Sequence, residues 1–381
     1  MILKQIKLVN FRNYEELNLK FYKGINILYG SNAQGKTNLL ESIYFLGLTR
    51  SHRPILENNL IMNNKNYSIV EGTINNSHDK LDKKLSIKFD SSSKKLSIDN
   101  NKISKVSDYI SNLNIIIFCP DDLELIKSSP QVRRKYLNME LSQLYSNYYI
   151  VLNEYNKLLK IRNNYLKKIN KNEKYDEAYF DILTGYLIDK AILLYKMRYK
   201  FINKINDYCS DIYKNIMNID NFNIKYKPNI DNIDIFSENV KIDLLNLMKK
   251  NINIDIKFNC TMIGPHKDDF EFYINDSNLK LYGSQGQQRA AVLTLKLAEI
   301  ELFKKYKEDT PILLLDDIFS ELDDKKKNNL LKYIVKDIQT IITTTDLNNL
   351  DKKLIKRSKI FKIEKGNIEK IKEVKINEWT L

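Results

Sequence analysis

One stretch, GSNAQGKT at positions 30–37, constrains this chain more than any other. It satisfies G-x-x-x-x-G-K-[ST] in the context that the chemistry needs: the apolar run INILY precedes it as a strand, and NLLESIYFLGL follows as a helix. Gly30 and Gly35 let such a loop fold around a phosphate with its N–H groups inward. Ser31, Asn32, Ala33 and Gln34 then meet the anion through main chain, and the helix directs its positive end at the same charge. Lys36 is placed to reach the β and γ phosphates and Thr37 to offer a hydroxyl to Mg²⁺. The fold must therefore contain a strand–loop–helix unit of α/β type, and a nucleotide is its expected ligand.

A second stretch answers the first. Ile312 to Leu315 read as a buried strand ending in Asp316 and Asp317. Strands often end in Asp, so ILLLDD alone says little; following a phosphate loop, its first carboxylate is the residue that helps hold Mg²⁺. Asp317 is then placed to orient or deprotonate an attacking water, with capping of the next element as its structural alternative. A third stretch, GSQGQQR at 283–289, uses two of the chain's 10 glycines and runs into the helical sequence AAVLTLKLAEIELF.

A length of 381 residues exceeds what one core usually serves, and 43% hydrophobic content is enough for two. The first 50 residues read strand, strand, strand, loop, helix, and residues 66 to 118 read as short antiparallel strands (YSIVEGTI, LSIKF, KLSID, NIIIF). After Pro120 the period changes. Leu152, Tyr155, Leu159, Leu166 and Ile169 keep helical spacing, with Arg162 interrupting the stripe, and Leu183, Leu187, Ala191, Leu194, Met197, Phe201 and Ile205 continue it beyond NKNEKYDE. A helical hairpin with arms of roughly 40 Å follows. Residues 215 to 259 are Asn- and Ile-rich and carry no clear period, and from about 260 the β/α alternation resumes. The expected organisation is an α/β head built from both chain ends, residues 1–119 with the phosphate loop and 259–381 with the carboxylates, around a mainly helical arm at 120–258.

The balance of 62 Lys and Arg against 48 Asp and Glu gives +14, which fits a polyanionic partner such as nucleic acid and equally an AT-rich genome. Cys119, Cys209 and Cys260 form neither a pair nor a metal-ligand cluster, no run approaches the roughly 18 apolar residues of a membrane span, and the N-terminus reads as a strand. A soluble, cytoplasmic protein without a membrane partner is expected.

A phosphate loop, a distant S-x-G-Q before a helix, and hhhhDD followed by SELDD stand in the order of an ABC-type ATPase. Across nearly its full length the chain resembles the RecF family, relatives of the SMC-type heads, in KQIKLVNFRNY, GLTRSHRP at 47–54, CPDDLELIKSSPQVRRKYLN at 119–138, GPHKDD at 264–269, GSQGQQR and LLLDDIFSELD at 313–323. The resemblance implies an ABC-type head, a mixed sheet with a phosphate-loop core and an antiparallel β subdomain, carrying a short arm. It implies ATP and Mg²⁺ as cofactors and an ATP-dependent homodimer, in which Ser284, Gly286 and Gln287 reach the γ-phosphate held by the partner subunit. It further implies binding of double-stranded DNA near junctions with single strands, and work with RecR and RecO in loading RecA.

Three departures stand out: Gln285 where many ABC proteins have glycine, Asp317 where transporters have glutamate, and TIITTTD where a transporter places a histidine. Together they predict slow, switch-like ATP hydrolysis carried by Lys36 and Asp317. Arg12, after the first strand, resembles a basic residue that SMC-like heads place beside the nucleotide. Arg50 and Arg53, and the cluster Arg133, Arg134 and Lys135, are the candidates for phosphate contact with DNA, with a solvated basic face as the alternative. His52 and His266 lack a catalytic or metal-ligand constellation, and His266 with Asp268 reads as structural or close to the nucleotide. The competing classes are a transporter's ATPase subunit and a defence-system ATPase.

Overall fold

The computed structural model describes residues 1–53, 55–76, 81–320, 327, 330–331 and 338–372. Along the chain, β1 (Ile2–Phe11) and β2 (Tyr14–Lys20) form a hairpin, and β3 (Ile25–Tyr29) leads through the glycine loop into α1 (Lys36–Leu48). Then come β4 (Tyr67–Asn75), β5 (Asp82–Asp90), β6 (Lys94–Ile98), β7 (Asn101–Ile103), α2 (Val106–Ile110) and β8 (Ile115–Phe118). The middle of the chain holds α3 (Glu124–Lys127), α4 (Pro130–Leu144), α5 (Ser146–Asn170), α6 (Glu177–Met217), β9 (Phe222–Lys227), α7 (Val240–Lys250), α8 (Ile252–Phe258), β10 (Asp269–Ile274), β11 (Ser277–Asn278) and α9 (Leu279–Tyr282). It closes with α10 (Gln285–Lys307), β12 (Ile312–Asp316), β13 (Thr340–Thr344), α11 (Lys352–Lys356), β14 (Ser358–Glu364) and β15 (Asn367–Lys372).

These elements form two compact units: Met1–Leu123 with Asn215–Asn218 and Arg289–Leu381, and Glu124–Lys214 with Ile219–Gln288. The first contains two sheets. One is antiparallel, in the order β2-β1-β4-β5-β6-β7; the other runs β15-β14-β3-β13-β12-β8, parallel except for β15. Helix α1 touches strands of both sheets and buries nearly every residue, with Phe45 packed against Phe11 and Phe89. An all-round apolar helix is the form that fits between two layers. NIIIF departs from its expected hairpin role: β8 pairs parallel with β12, and all of its residues are buried. An apolar run without alternation belongs in a parallel sheet covered on both faces.

The second unit is built on the α5–α6 hairpin. Arg162, which breaks the apolar stripe of α5, is buried and pairs with Asp255 of α8 at 2.7 Å while donating to Thr261. A buried guanidinium is tolerable only with such a partner. The expected boundary after residue 258 is corrected: residues 259–288 belong to the second unit. The reason is pairing, since β10 is the central strand of a three-stranded sheet with β9 and β11. The stretch 215–259 that carried no period supplies β9, α7 and α8.

Candidate functional site

The glycine loop is held from several sides by its own unit. A Cβ on Gly30 would stand 2.3 Å from the carbonyl oxygen of Ile363, and Gly35 has φ 112°, so each position takes glycine for a stated reason. The β1–β2 turn braces the loop through Asn13, which donates to the Gln34 carbonyl at 3.2 Å, and Tyr14, whose hydroxyl donates to Gly35 at 3.0 Å. The β14–β15 turn adds Gly366 N–H to the Gln34 carbonyl at 3.1 Å and Lys365 N–H to its side-chain oxygen at 2.7 Å. Inside the loop the buried Lys36 ammonium donates to the carbonyls of Gly30 and Ser31 at 2.6 and 2.7 Å.

Strand order brings the carboxylates to this loop. β13 lies between β3 and β12, and its Thr343 is in register with Asp316 on one side and Leu28 on the other. The Thr37 hydroxyl donates to Asp316 Oδ1 at 2.9 Å, across 279 residues of sequence. Thr343 donates to the same oxygen at 2.8 Å and accepts the Asp317 N–H at 2.9 Å. Asp317 itself has φ 51°, in the left-handed region. Burial pushes the Asp316 carboxyl up; the bonds from Thr343 and Thr37 and the charge of Arg53 oppose this, and the charge of Asp317 adds to it. Burial pulls the Lys36 ammonium down, against Asp317 and Asp316.

Arg12 and Arg53 converge on a residue that sequence reasoning missed. Glu41, fully buried on α1, accepts two bonds from Arg12 at 2.9 and 3.2 Å and one from Ser51 at 2.5 Å, with Arg53 at 3.7 Å. Burial pushes Glu41 up, but these bonds and charges outweigh it and hold the carboxyl below its usual range. Arg53 also reaches Asn38 at 3.4 Å, so it is part of the loop's surroundings and not of a surface pair with the exposed Arg50. The signal for Glu41 was present as a lone acid inside an apolar helix. Thr343 had a weaker one, a hydroxyl in a wholly buried strand.

The second basic cluster is corrected. Arg133 is buried, holds Asp269 with two bonds at 2.6 and 2.9 Å, and cannot meet DNA phosphate without breaking that pair. Arg134 is partly buried and donates to the Asp268 carbonyl; only Lys135 of the three is exposed. GPHKDD is a packing node: Asp268 takes bonds from Arg198 at 2.9 Å, from Tyr226 and from the Asn229 N–H. His266 Nε2 donates to the Thr261 carbonyl at 2.8 Å, so its Nδ1 accepts from the Tyr155 hydroxyl at 2.6 Å, and burial brings its pKa down to about 4. His52 packs edge-on against Tyr44.

GSQGQQR lies where α9 ends and α10 begins. Ser284 Oγ accepts the Gln287 N–H at 3.2 Å while Gln287 returns a side-chain oxygen to the Ser284 N–H at 2.9 Å, a reciprocal capping box. Gly283 is required locally, because a Cβ there would meet the Leu279 carbonyl at 2.6 Å. Gly286 is not: among the described residues nothing stands nearer its Cβ position than Ser284 Oγ at 3.9 Å. Of SELDD, residues 321–324 lie outside the described residues. Among the described residues no cluster of three His, Cys, Asp or Glu could hold a metal, and no helix is long and apolar enough to cross a membrane.

A phosphate loop on an inner strand of a mixed sheet, with paired carboxylates two strands away and an antiparallel sheet beyond α1, defines the ABC-type ATPase head of SMC-like proteins. Residues 2–369 match the family described as RecF/RecN/SMC N-terminal domain. Similar proteins include the "DNA replication and repair protein RecF" of Listeria monocytogenes serotype 4b (strain CLIP80459), 41% identical over 97% of this chain and 100% of its own length. The protein of that name from Clostridium perfringens (strain SM101) is 40% identical with the same coverage. A solved structure described as the recombination mediator protein RecF-ATP in the RecFOR pathway superposes with a TM-score of 0.90 at 34% identity, covering 97% of this chain and 98% of that one. An Smc head bound to the C-winged helix domain of ScpA, at 16% identity and a TM-score of 0.50 over 97% and 98% of the two chains, shows the likeness of fold alone. The chain belongs to the RecF family.

Proposed function

We propose that this chain is an ATP-gated DNA-binding switch of replication and recombinational repair, acting in the cytoplasm. The observation that carries the reading is the 2.9 Å bond from Thr37 to Asp316, which joins the two halves of a nucleotide site from opposite ends of the chain. The backbone from Gly30 to Gln34, with Gly35, would cradle the phosphates, and Lys36 would exchange its two carbonyl partners for phosphate oxygens. Thr37 and Asp316 fit Mg²⁺, being two oxygen donors close together with a second carboxylate adjacent, a setting in which a cation relieves crowded negative charge. When bound, the ion neutralises charge on the phosphate oxygens. Asp317, set off-strand by its left-handed backbone and anchored through Thr343, orients the attacking water. Its short side chain and the absence of a histidine in TIITTTD support slow hydrolysis, a timer more than a motor. Arg12 is held near the loop by Glu41.

Two such chains would close on two ATP, with Ser284, Gly286 and Gln287 of one reaching the γ-phosphate bound by the other. The open space at Gly286 supports this, since among the described residues no atom comes nearer than 3.9 Å to a Cβ there. The closed dimer grips double-stranded DNA near single-strand junctions, with Arg50 and Lys135 as exposed cations, and hands over to RecR with RecO for RecA loading. Ser284→Arg tests it: by light scattering the variant stays monomeric with ATP while still binding one ATP per chain. Dimerisation of that variant with ATP refutes the sandwich.

A further inference from the structure

Two hairpin turns far apart in sequence meet at one residue of the phosphate loop. Gln34 is gripped by Arg12–Asn13 of β1–β2 and by Lys365–Gly366 of β14–β15, each turn two residues long because Phe11 pairs with Tyr14 and Glu364 with Asn367. Lys365 and Gly366 have φ 48° and 79°, the positive pair that two-residue turns favour. Such a turn closes with a bond between its flanking residues, so the N–H groups of its central pair lie outside the hairpin's own ladder. Here both are turned onto Gln34: Gly366 N–H reaches its carbonyl at 3.1 Å, and Lys365 N–H reaches its side-chain oxygen at 2.7 Å across 331 positions of sequence. The other turn brings Asn13 Nδ2 to the same carbonyl at 3.2 Å. The turns also abut each other, since a Cβ on Gly366 would stand 2.6 Å from the Asn13 carbonyl oxygen.

A carbonyl oxygen has two lone pairs, and the Gln34 oxygen accepts one bond from each turn. The peptide that joins Gln34 to Gly35 is planar and trans, so the Gly35 N–H points the opposite way from that carbonyl, away from both turns. An anion loop works only while its N–H groups face inward; a flipped peptide would set a carbonyl dipole against the phosphate. We propose that Gly366 and Asn13 are positioning residues of the nucleotide site: together they hold the Gln34 carbonyl outward and so present the Gly35 N–H to a phosphate. The inference rests on the nucleotide reading of the loop. It adds that affinity for the phosphate chain is set in part by the β14–β15 turn, acting through Gln34, and that the base plays no part in this effect.

The test is calorimetric titration of the full chain with MgATP and with magnesium tripolyphosphate, in wild type, Gly366→Ala, Asn13→Leu and the double variant. The alanine Cβ forces the turn off the Asn13 carbonyl and draws its N–H groups away from Gln34; the leucine keeps the shape of asparagine without its donor. Each single variant is expected to bind either ligand about 5-fold more weakly, the worth of a bond to a neutral acceptor. The double variant should lose more than about 25-fold, beyond the product of the singles, because one remaining donor still orients the carbonyl and none does not. Without ligand, each should melt within about 4 °C of wild type. Wild-type affinity in either single variant, a double variant no weaker than the product, a loss for MgATP that tripolyphosphate does not share, or a loss seen only in variants that melt earlier than this would each overturn the proposal. Wild type that binds no MgATP would overturn the nucleotide reading itself, and the proposal with it.

Discussion

The two glycine loops of this protein, GSNAQGKT and GSQGQQR, differ in what their own surroundings demand. Gly30 is forced by a backbone carbonyl 2.3 Å from where its Cβ would be, while among the described residues Gly286 faces nothing nearer than 3.9 Å. One loop has its glycines fixed by its own unit; the other keeps a small residue that the described residues of its unit do not need. The difference teaches that a glycine's reason must be sought atom by atom, and that a glycine without a local reason points to a ligand. The largest expected effect divides the two. Gly30→Val has no flexible neighbour to displace and should lose about 3 kcal/mol or more of stability together with ATP binding. Gly286→Val should unfold within about 0.5 kcal/mol of wild type, bind ATP as a monomer, and fail to dimerise. Denaturant melts with ATP titrations check both, and a Gly286→Val protein that dimerises with ATP breaks the contrast.

A loosely packed second unit would make the openness at Gly286 trivial, and the GPHKDD node argues against that. His266 falls from an ordinary 6.5 to about 4, because burial disfavours its charged form and both ring nitrogens are committed as in the neutral ring. The folded state therefore favours the neutral ring. Its contribution is fully present above pH 6.5 and is lost as pH falls from there toward 4, on the order of 3 kcal/mol in all. His266→Gln should flatten the difference in stability between those two pH values. A variant as acid-sensitive as wild type across that window would show that the node is not tight.

Thr343 joins the Asp316 carboxylate of the first site to the Asp317 backbone N–H, and its removal should cost less. Thr343→Val leaves Asp316 with Thr37 alone and the Asp317 N–H without its acceptor, a loss of about 2 kcal/mol. ATP affinity should change little while turnover falls, which single-turnover kinetics separate. Such a residue shows where sequence reading stops. Periodicity and glycine placement made β3, α1, β12, β13 and the α5–α6 hairpin legible, because each depends on its own residues. Register between strands distant in sequence, which sets Thr343 beside Asp316, is written in no local pattern. Arg133 failed for the same reason: its partner Asp269 lies 136 positions away, so a buried pair read as a basic surface. Glu41 was visible as an acid among apolar neighbours, yet only the fold supplies Arg12 and Arg53.

The smallest effect tests whether Ser284 has one role or two. Its hydroxyl caps α10, and the proposed dimer asks the same side chain to meet a phosphate on another copy. Ser284→Ala removes the cap and should lose about 1 kcal/mol, with dimerisation weakened in proportion to lost helix order and lost contact together. Ser284→Asp keeps a capping oxygen and adds a negative charge near the helix's positive end, so stability should stay within a few tenths of a kcal/mol of wild type. That charge would oppose a γ-phosphate, and ATP-driven dimerisation should be lost. If Ser284→Asp dimerises with ATP as well as wild type does, the serine serves only its own helix, and the partner's phosphate must be recognised by the backbone at Gly286.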